Sequence, residues 1–269
     1  MASNRASLLQ SIATTIADYR AGELAVPTPA HVDRWISQFD RAVQLDMLVE
    51  LDHVLGNTYF PKAKVTNFLT RLSTNAGLAG PSPCAFWKSV NFLDIQRGGT
   101  SQTEMLGLFS EVLSASCGFT AAVCSSADGP YVYLDDAVFT GSRVRNDVIA
   151  WLPSAPSHAT LHVIVMASHQ GAWFAQKQID EAFKAAGKVL RISWWRAVEL
   201  ENRKSYAVDA DVLWPKSIPA DQAVQNYIQP FRYTPTLRTG TSLGRANIFG
   251  SQLGLVEAWP HVDRLQVEV

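Results

Sequence analysis

The chain has 269 residues, of which 47% are hydrophobic and 17% are charged, a composition typical of a globular protein that buries a core and not of a disordered chain. Its 23 Lys and Arg against 24 Asp and Glu give a net charge of -1, without the surplus of cations that nucleic-acid readers carry. No run approaches the roughly 20 apolar residues that span a bilayer, and no signal peptide is recognisable. We therefore expect a cytoplasmic protein that does not enter a membrane.

Helical periodicity dominates the first 80 residues. After a turn at Pro27–Pro29, residues 31–55 repeat apolar side chains at helical spacing, among them Trp35, Phe39 and Val43. A further helix is predicted over residues 62–74, and the run AGLAGPSPC then breaks the pattern. Three such helices are compatible with a nucleic-acid reader, but the region holds no basic cluster, which favours packing against the rest of the protein.

From residue 85 onwards, apolar runs alternate with amphipathic helical segments. Strands are predicted over residues 85–95, 131–136, 159–169 and 189–195, and helices over residues 103–113, 141–152 and 174–187. Parallel neighbouring strands need crossover helices, so this order predicts an α/β fold with a parallel sheet flanked by helices. We assign residues 1–80 to an N-terminal helical region, 81–200 to the α/β core, and 201–269 to a loop-rich C-terminal addition.

The cysteines and histidines follow no metal-binding pattern. Cys84, Cys117 and Cys124 are odd in number and lack Cys-x-x-Cys spacing, so we interpret them as buried thiols. His162 lies inside a predicted strand, where a core position is expected. His169 ends that strand and is a weaker candidate for contact with a ligand. We predict no metal ion held by protein side chains.

The segment YVYLDDAVFTGSRV carries the chemistry. It delivers Asp135 and Asp136 to the carboxyl end of a predicted strand, the edge at which open α/β sheets bind ligands. Thr140, Gly141 and Ser142 then open the next predicted helix, where free backbone N–H groups and the helix dipole favour a phosphate. The two carboxylates can bind sugar hydroxyls or a magnesium ion, and the loop beside them can bind an anion. This combination suits a sugar phosphate.

The run LDDAVFTGSR resembles the phosphoribosyl pyrophosphate (PRPP) signature of type I phosphoribosyltransferases. The resemblance implies that Asp135 and Asp136 hold the ribose hydroxyls of PRPP. It also implies that the following loop wraps the 5-phosphate, through Phe139, Thr140, Gly141, Ser142 and Arg143. Phe139 stands where many members of the family carry Asp or Thr, one of which serves some of them as a general base.

The same fold places a pyrophosphate-binding loop after the first core strand, and LDIQRGGTSQTEML matches that place. Its glycines allow close backbone approach, its arginine offers a charge-assisted pair of donors, and its serine adds a hydroxyl. The candidate residues of this loop are Arg97, Gly98, Gly99, Thr100, Ser101 and Gln102. With Asp135 and Asp136, Arg97 is the third residue to which we assign a catalytic role.

A narrower resemblance links the chain to phosphoribosyltransferase-like proteins of bacterial conflict systems, including retron-associated effectors. It rests on RWISQFDRAVQLDMLVELDHVL, SQTEML, YLDDAVFTGSRV, HVIVMASH and NIFGSQLGLVEAW. The resemblance implies an antiphage role and a hood over the site, for which residues 201–269 are the candidate.

We therefore expect a pentosyltransferase that binds PRPP, with Mg²⁺ carried mainly by the pyrophosphate oxygens. Transfer of the phosphoribosyl group to an acceptor is the expected reaction. One alternative, motivated by Phe139, is a catalytically inactive PRPP or nucleotide sensor, or an interaction subunit of a defence complex. Another is that residues 1–80 recruit a partner protein or a complex of reverse transcriptase with nucleic acid.

Overall fold

A computed structural model describes residues 2–169 and 173–200, with the single residue Gln222 beyond them. The predicted C-terminal addition over residues 201–269 lies outside the described residues, apart from Gln222. Within the described ranges, no helix is long and apolar enough to cross a membrane. In chain order the elements are α1 (Ala2–Thr15), α2 (Pro29–Ile36), α3 (Arg41–Thr58), α4 (Lys62–Ser73), α5 (Ala76–Ala79), α6 (Pro83–Ser89), β1 (Asn91–Leu93), α7 (Ser101–Cys117), a 3₁₀ turn (Ala121–Val123), β2 (Tyr131–Val138), α8 (Ser142–Trp151), β3 (His158–His169), α9 (Trp173–Ala185) and β4 (Val189–Leu200).

The described residues up to Val65 form one compact unit, in which α1, α2 and α3 share a small core. Its buried residues are Leu9, Ile12, Ala13, Val32, Ile36 and Leu48. The helical stretch predicted over residues 31–55 is interrupted between α2 and α3. Asp40 precedes α3, and its side chain caps that helix by accepting a hydrogen bond from the Ala42 amide. Three apolar residues that share the predicted spacing are exposed instead of buried: Trp35, Phe39 and Val43.

The described residues from Thr66 onwards belong to a second unit, built on a parallel sheet in the order β1–β2–β3–β4. In register, Val132 of β2 lies opposite His162 of β3, and His162 lies opposite Ser193 of β4. β3 has a strand on each side and is buried along most of its length, as its continuous apolar run predicts. The predicted α/β class is confirmed. The domain limits at residues 80 and 200 stay predictions.

The first strand is much shorter than predicted. The apolar run over residues 85–95 forms the end of α6 and then β1, which has three residues. Pro83 at the start of α6 favours the helix because its fixed φ suits the first helical turn. A short apolar run does not by itself distinguish a buried helix from a buried strand, which explains the wrong prediction for residues 85–89.

Helices cover both faces of the sheet. Phe92 and Leu93 are successive strand residues, so their side chains point to opposite faces. The Phe92 ring lies 5.9 Å from the ring of Phe109 in α7, whereas Leu93 belongs to a buried cluster with Val148 of α8 and Ile179 of α9. Apolar residues at helical spacing in the three predicted amphipathic helices are also buried: Met105, Val112, Val144, Trp151, Ala175 and Phe183.

Two of the three cysteines form a disulfide, which corrects the prediction of three buried thiols. Cys84, at the start of α6, is bonded to Cys117, at the end of α7. Cys124 is a buried free thiol, and burial raises its pKa. The sequence shows no disulfide framework because the partners are 33 residues apart and meet only when α7 packs beside α6.

Removing this disulfide is expected to destabilise the second unit. Replacing Cys84 and Cys117 with Ser should lower the free energy of unfolding by about 2–4 kcal/mol, because the bond closes a long loop and restricts the unfolded chain. Urea unfolding of the variant and of the oxidised protein measures the difference. Replacing Cys124 with Ala is the control, since that thiol forms no disulfide. Equal stability of the double variant and the parent would contradict the prediction.

Candidate functional site

A cleft of about 200 Å³ lies at the carboxyl ends of β1 and β2. Gln96 and Ser101 line it from the segment after β1, and the consecutive residues 135–144 line it from β2, the following loop and the start of α8. The two segments that the sequence marks as ligand loops therefore meet at one site. They meet because the carboxyl ends of neighbouring parallel strands lie at the same edge of a sheet.

Asp135 is the buried acid of this site, with only 2% of its surface exposed. Its Oδ1 accepts hydrogen bonds from Ser101 Oγ at 2.7 Å and from the backbone amide of Asp136 at 2.9 Å. Its Oδ2 accepts a hydrogen bond from Gln96 Nε2 at 3.0 Å. A buried carboxylate requires donors of this kind, and here two of them come from the other loop. Asp135 thus holds the two loops together.

Asp136 is the exposed acid. It lines the cleft, and its Oδ1 accepts a hydrogen bond from the amide of Ala137 at 2.6 Å. Although the residue as a whole is exposed, the protein around its carboxyl group partly desolvates it, which raises its pKa, and the negative charge of Asp135 raises it further. Both acids lie inside β2, which continues to Val138 and so extends two residues past the predicted strand. Successive strand positions have different surroundings, which explains why one acid is buried and the other is open to a ligand.

Replacing Asp135 with Asn is expected to lower the pKa of Asp136. The substitution keeps the shape of the side chain but removes the negative charge that disfavours ionisation of its neighbour. Titration of the Asp136 carboxyl carbon by NMR, in both proteins, measures the shift. Part of the elevation should persist, since burial is its larger cause. An unchanged or higher pKa in the variant would show that the two carboxylates do not interact.

The loop between β2 and α8 forms an anion-binding arrangement. Gly141 has φ +69°, a left-handed conformation that glycine adopts readily, and it precedes the first residue of α8. Thr140 Oγ1 accepts a weak hydrogen bond from the Ser142 amide at 3.3 Å. The next residues, Arg143 and Val144, also line the cleft, and amides in a first helical turn have no partner within the helix. These amides and the helix dipole favour a phosphate.

Arg143 joins this loop to the loop after β1. Its Nη1 donates hydrogen bonds to the backbone oxygen of Gly98 at 2.5 Å and to that of Arg97 at 3.2 Å. Gly98 and Gly99 both have positive φ, which gives the loop the shape that presents these oxygens. The Arg143 side chain thus contacts the neighbouring loop, whereas the sequence predicts that it contacts a phosphate.

The remaining residues of the loop after β1 take different positions. The segment from Arg97 to Thr100 is exposed beside the cleft and is not part of its lining. The Arg97 guanidinium has no hydrogen-bond partner among the described residues, and Thr100 donates its hydroxyl hydrogen to Glu104 at 2.5 Å. Since no described residue pairs with the Arg97 guanidinium, this positive charge beside the cleft is available to bind an anion.

The positions of Gln102 and Gln96 differ from those that the sequence predicts. Gln102, a predicted binding residue, is fully buried, and its Oε1 accepts hydrogen bonds from the amides of Ile95 and Gln96 at 2.7 and 2.9 Å. It holds the chain where it leaves β1, from inside the protein. Gln96 was not among the predicted site residues, yet it lines the cleft and binds Asp135. The sequence signal for Gln96 is its position directly after the strand predicted over residues 85–95.

Phe139 lies in the cleft lining with 60% of its surface exposed. No aromatic ring among the described residues packs against it. Its aromatic side chain is thus an exposed part of the lining, next in sequence to Val138 and Thr140.

His162 and His169 of β3, and Trp194 and Trp195 of β4, lie within the sheet. His162 is half-buried, with Nδ1 2.6 Å from Ser193 Oγ, and burial lowers its pKa. His169 is 3% exposed at the end of β3. Trp194 packs against the core of the sheet and donates Nε1–H to Gln176, whereas Trp195 lies near the ring of His162.

Comparison with known proteins identifies one relationship. A family model described as PRTase-CE matches residues 32–260, which is most of the chain and includes the whole sheet and the cleft. No curated protein and no solved structure matches the sequence.

Proposed function

The chain belongs to the PRTase-CE family, a phosphoribosyltransferase-type family, and from this premise we propose that its cleft binds PRPP and transfers the phosphoribosyl group to an acceptor. The observation that carries the proposal is the meeting of the two loops at Asp135, which accepts hydrogen bonds from Ser101 and Gln96 of one loop while belonging to the other. A pentose with a phosphate at one end and a pyrophosphate at the other needs two such loops on one cleft.

Each part of the cleft has a role in this proposal. Asp136, the exposed acid, accepts hydrogen bonds from the ribose hydroxyls, while Asp135 positions the loop behind it. The amides at the start of α8 bind the 5-phosphate, with the hydroxyls of Thr140 and Ser142 beside them. Arg97, which has no partner among the described residues, pairs with the pyrophosphate.

The reaction breaks the bond between C1 of the ribose and a pyrophosphate oxygen, which leaves with the electron pair. The acceptor nucleophile supplies the pair for the new bond to C1 and loses its proton to solvent or to the leaving group. Because positive charge develops on the ribose, the protein's contribution is to hold the sugar and to stabilise the negative charge on pyrophosphate. Phe139 offers no base at the opening of the cleft, so the acceptor must be a nucleophile that needs little assistance.

A magnesium ion fits this chemistry as a companion of the substrate. The cleft presents hard oxygen donors, namely the Asp136 carboxylate and the hydroxyls of Thr140 and Ser142, which suit Mg²⁺. No group of three or more acidic, histidine or cysteine side chains with metal-binding geometry occurs in the part of the chain that the structure describes. Asp136 would therefore share the ion with pyrophosphate oxygens, and the ion would neutralise charge on the leaving group.

A second candidate function is a sensor that binds PRPP without turnover, and the exposed Phe139 is the observation that favours it. Incubation of the full chain with PRPP, Mg²⁺ and a panel of nucleobases, with detection of released pyrophosphate, distinguishes the two. Release of pyrophosphate that depends on Asp136 supports transfer. Tight PRPP binding with no release, for any base in the panel, supports the sensor and contradicts transfer to a nucleobase.

We further propose, from the resemblance to conflict-system proteins, that the chain acts in antiphage defence. Its N-terminal helices are the proposed site for a partner protein or for a complex of reverse transcriptase with nucleic acid. Plating of phage on bacteria that express the full system, with wild-type protein or with Asp136→Asn, tests the role of the cleft. Protection that survives the substitution would separate the defence role from PRPP binding.

A further inference from the structure

A second pocket, of about 760 Å³, lies at the opposite edge of the sheet from the cleft. The amino ends of β2, β3 and β4 line it together with α6 and the loop before β2. We call it the amino-edge pocket and define it by the residues used below: Phe86, Tyr131, His158, Thr160, His162 and Arg191. The proposed transfer reaction uses none of these residues.

One side of the pocket is suited to a phosphate. Thr160 of β3 lies opposite Arg191 of β4 in the sheet register, and His158 lies two positions earlier on β3, so the three side chains share one face. All three residues are exposed, and the Arg191 guanidinium has no hydrogen-bond or ion-pair partner among the described residues. The planar guanidinium matches a phosphate with two parallel hydrogen bonds, and the Thr160 hydroxyl can add a third.

The other side of the pocket is aromatic. The rings of Phe86 and His162 lie 6.1 Å apart in an edge-to-face arrangement. Tyr131 lines the pocket at the start of β2, but its ring packs against Trp151 on the other face of the sheet. His162 shares a hydrogen bond with Ser193 through Nδ1, which fixes the plane of its ring. Such surfaces bind a flat ring by stacking and edge contacts.

The wall formed by the loop before β2 is rigid. At Gly129, a Cβ atom would lie 1.8 Å from the backbone oxygen of Ser89, so no larger residue fits without a shift of backbone. Asn91 Nδ2 donates hydrogen bonds to the backbone oxygens of Ser126 at 2.8 Å and of Gly129 at 3.3 Å, which holds the loop against β1. The pocket is therefore formed before any ligand arrives. Asp128, on the same loop, is an acid at its edge and disfavours a ligand with many negative charges.

We propose that the amino-edge pocket binds a nucleoside monophosphate, separately from the cleft. The volume falls within the range of about 300–1,000 Å³ that small-molecule sites occupy. Arg191 and Thr160 bind the phosphate, and the rings of Phe86 and His162 contact the base. The two sites lie at opposite ends of the same strands, so ligand in this pocket leaves the PRPP loops accessible.

Isothermal titration calorimetry of the full chain with AMP, GMP, CMP and UMP tests the proposal. At least one of them should bind, and Arg191→Gln should weaken that binding about 10-fold or more, because a charge-assisted pair of hydrogen bonds is lost. Arg71→Gln is the matched control, since Arg71 is exposed on α4 and lies in neither site. Asp136→Asn, which alters the cleft, should leave the affinity for the nucleotide unchanged.

A second readout locates the ligand. In ¹H–¹³C spectra of the six histidines, the nucleotide should shift the signals of His158 and His162 and leave His31 and His53 in place. The absence of binding by all four nucleotides at millimolar concentration would overturn the proposal. So would nucleotide binding that is lost in Asp136→Asn and retained in Arg191→Gln, since the ligand would then occupy the cleft. Neither result bears on whether the cleft binds PRPP.

Discussion

The Asp136→Asn variant is expected to bind PRPP about 100-fold more weakly than the parent protein. A ribose offers two hydroxyls to this carboxylate, and each hydrogen bond to a charged acceptor contributes roughly 1.5–3 kcal/mol, part of which the Asn amide retains. Calorimetric titration with PRPP and Mg²⁺ measures the loss. Among the residues that line the cleft, Asp136 is the exposed acid, so its substitution removes ligand contacts and leaves the loop-to-loop hydrogen bonds of Asp135 intact.

The same variant is expected to fold normally. The raised pKa of Asp136 means that its ionisation opposes folding, so the wild-type stability falls as pH rises from the unfolded pKa through the folded one. Asn has no such cost and retains an acceptor for the Ala137 amide. Asp46→Asn, an exposed acid on α3, is the matched control and should bind PRPP like the parent. Unchanged affinity in Asp136→Asn would refute the assignment of the cleft to PRPP.

Replacing Trp87 with Ala is expected to lower the free energy of unfolding by about 3–5 kcal/mol. The residue is fully buried, and its ring centroid lies 4.7 Å from that of Phe109 and 6.2 Å from that of Phe92. Its Nε1 also donates a hydrogen bond to the backbone oxygen of Ser73 at 2.7 Å. The substitution therefore leaves a large cavity between α6, α7 and β1 and removes the donor of a buried carbonyl. Urea unfolding monitored by circular dichroism measures the effect.

Trp87→Phe is the milder substitution. Phe keeps an aromatic ring in the core but loses the donor to Ser73 and part of the ring volume, so we expect a smaller destabilisation of about 1–2 kcal/mol. Equal effects of the two substitutions would show that the hydrogen bond, and not the cavity, dominates. A change below 1 kcal/mol in Trp87→Ala would contradict the position of this side chain in the core.

Agreement between the sequence and the structure is best where the signal is local. The stripes of α7, α8 and α9 face the sheet as their spacing predicts, and Gly187 has the positive φ expected after a helix. The order of Asp135, Asp136, Thr140 and Gly141 along the chain predicts a loop at the end of β2, and these residues line the cleft there. These features depend on residues within a few positions of one another.

The errors occur where the answer depends on distant residues. Residues 85–89 are helical because α6 packs Trp87 against α7 and the sheet, and an apolar run alone is compatible with a strand. The disulfide depends on the meeting of two helix ends, 33 residues apart. The exposure of Trp35 and Phe39 follows from the break between α2 and α3, which the periodic pattern does not reveal.

The cleft also combines features that follow from local sequence with features that depend on distant residues. The sequence alone predicts that the candidate site residues lie at a strand end and a helix start. It does so because acids, glycines and hydroxyls at these places act through local backbone geometry. Only the tertiary structure decided that Asp135 is buried and joins the two loops, that Asp136 is exposed in the cleft, that Gln96 belongs to the cleft, and that Gln102 does not. The outcomes for Asp135 and Gln96 depend on hydrogen bonds across 34 and 39 positions of the chain, and no local pattern specifies a partner so far away.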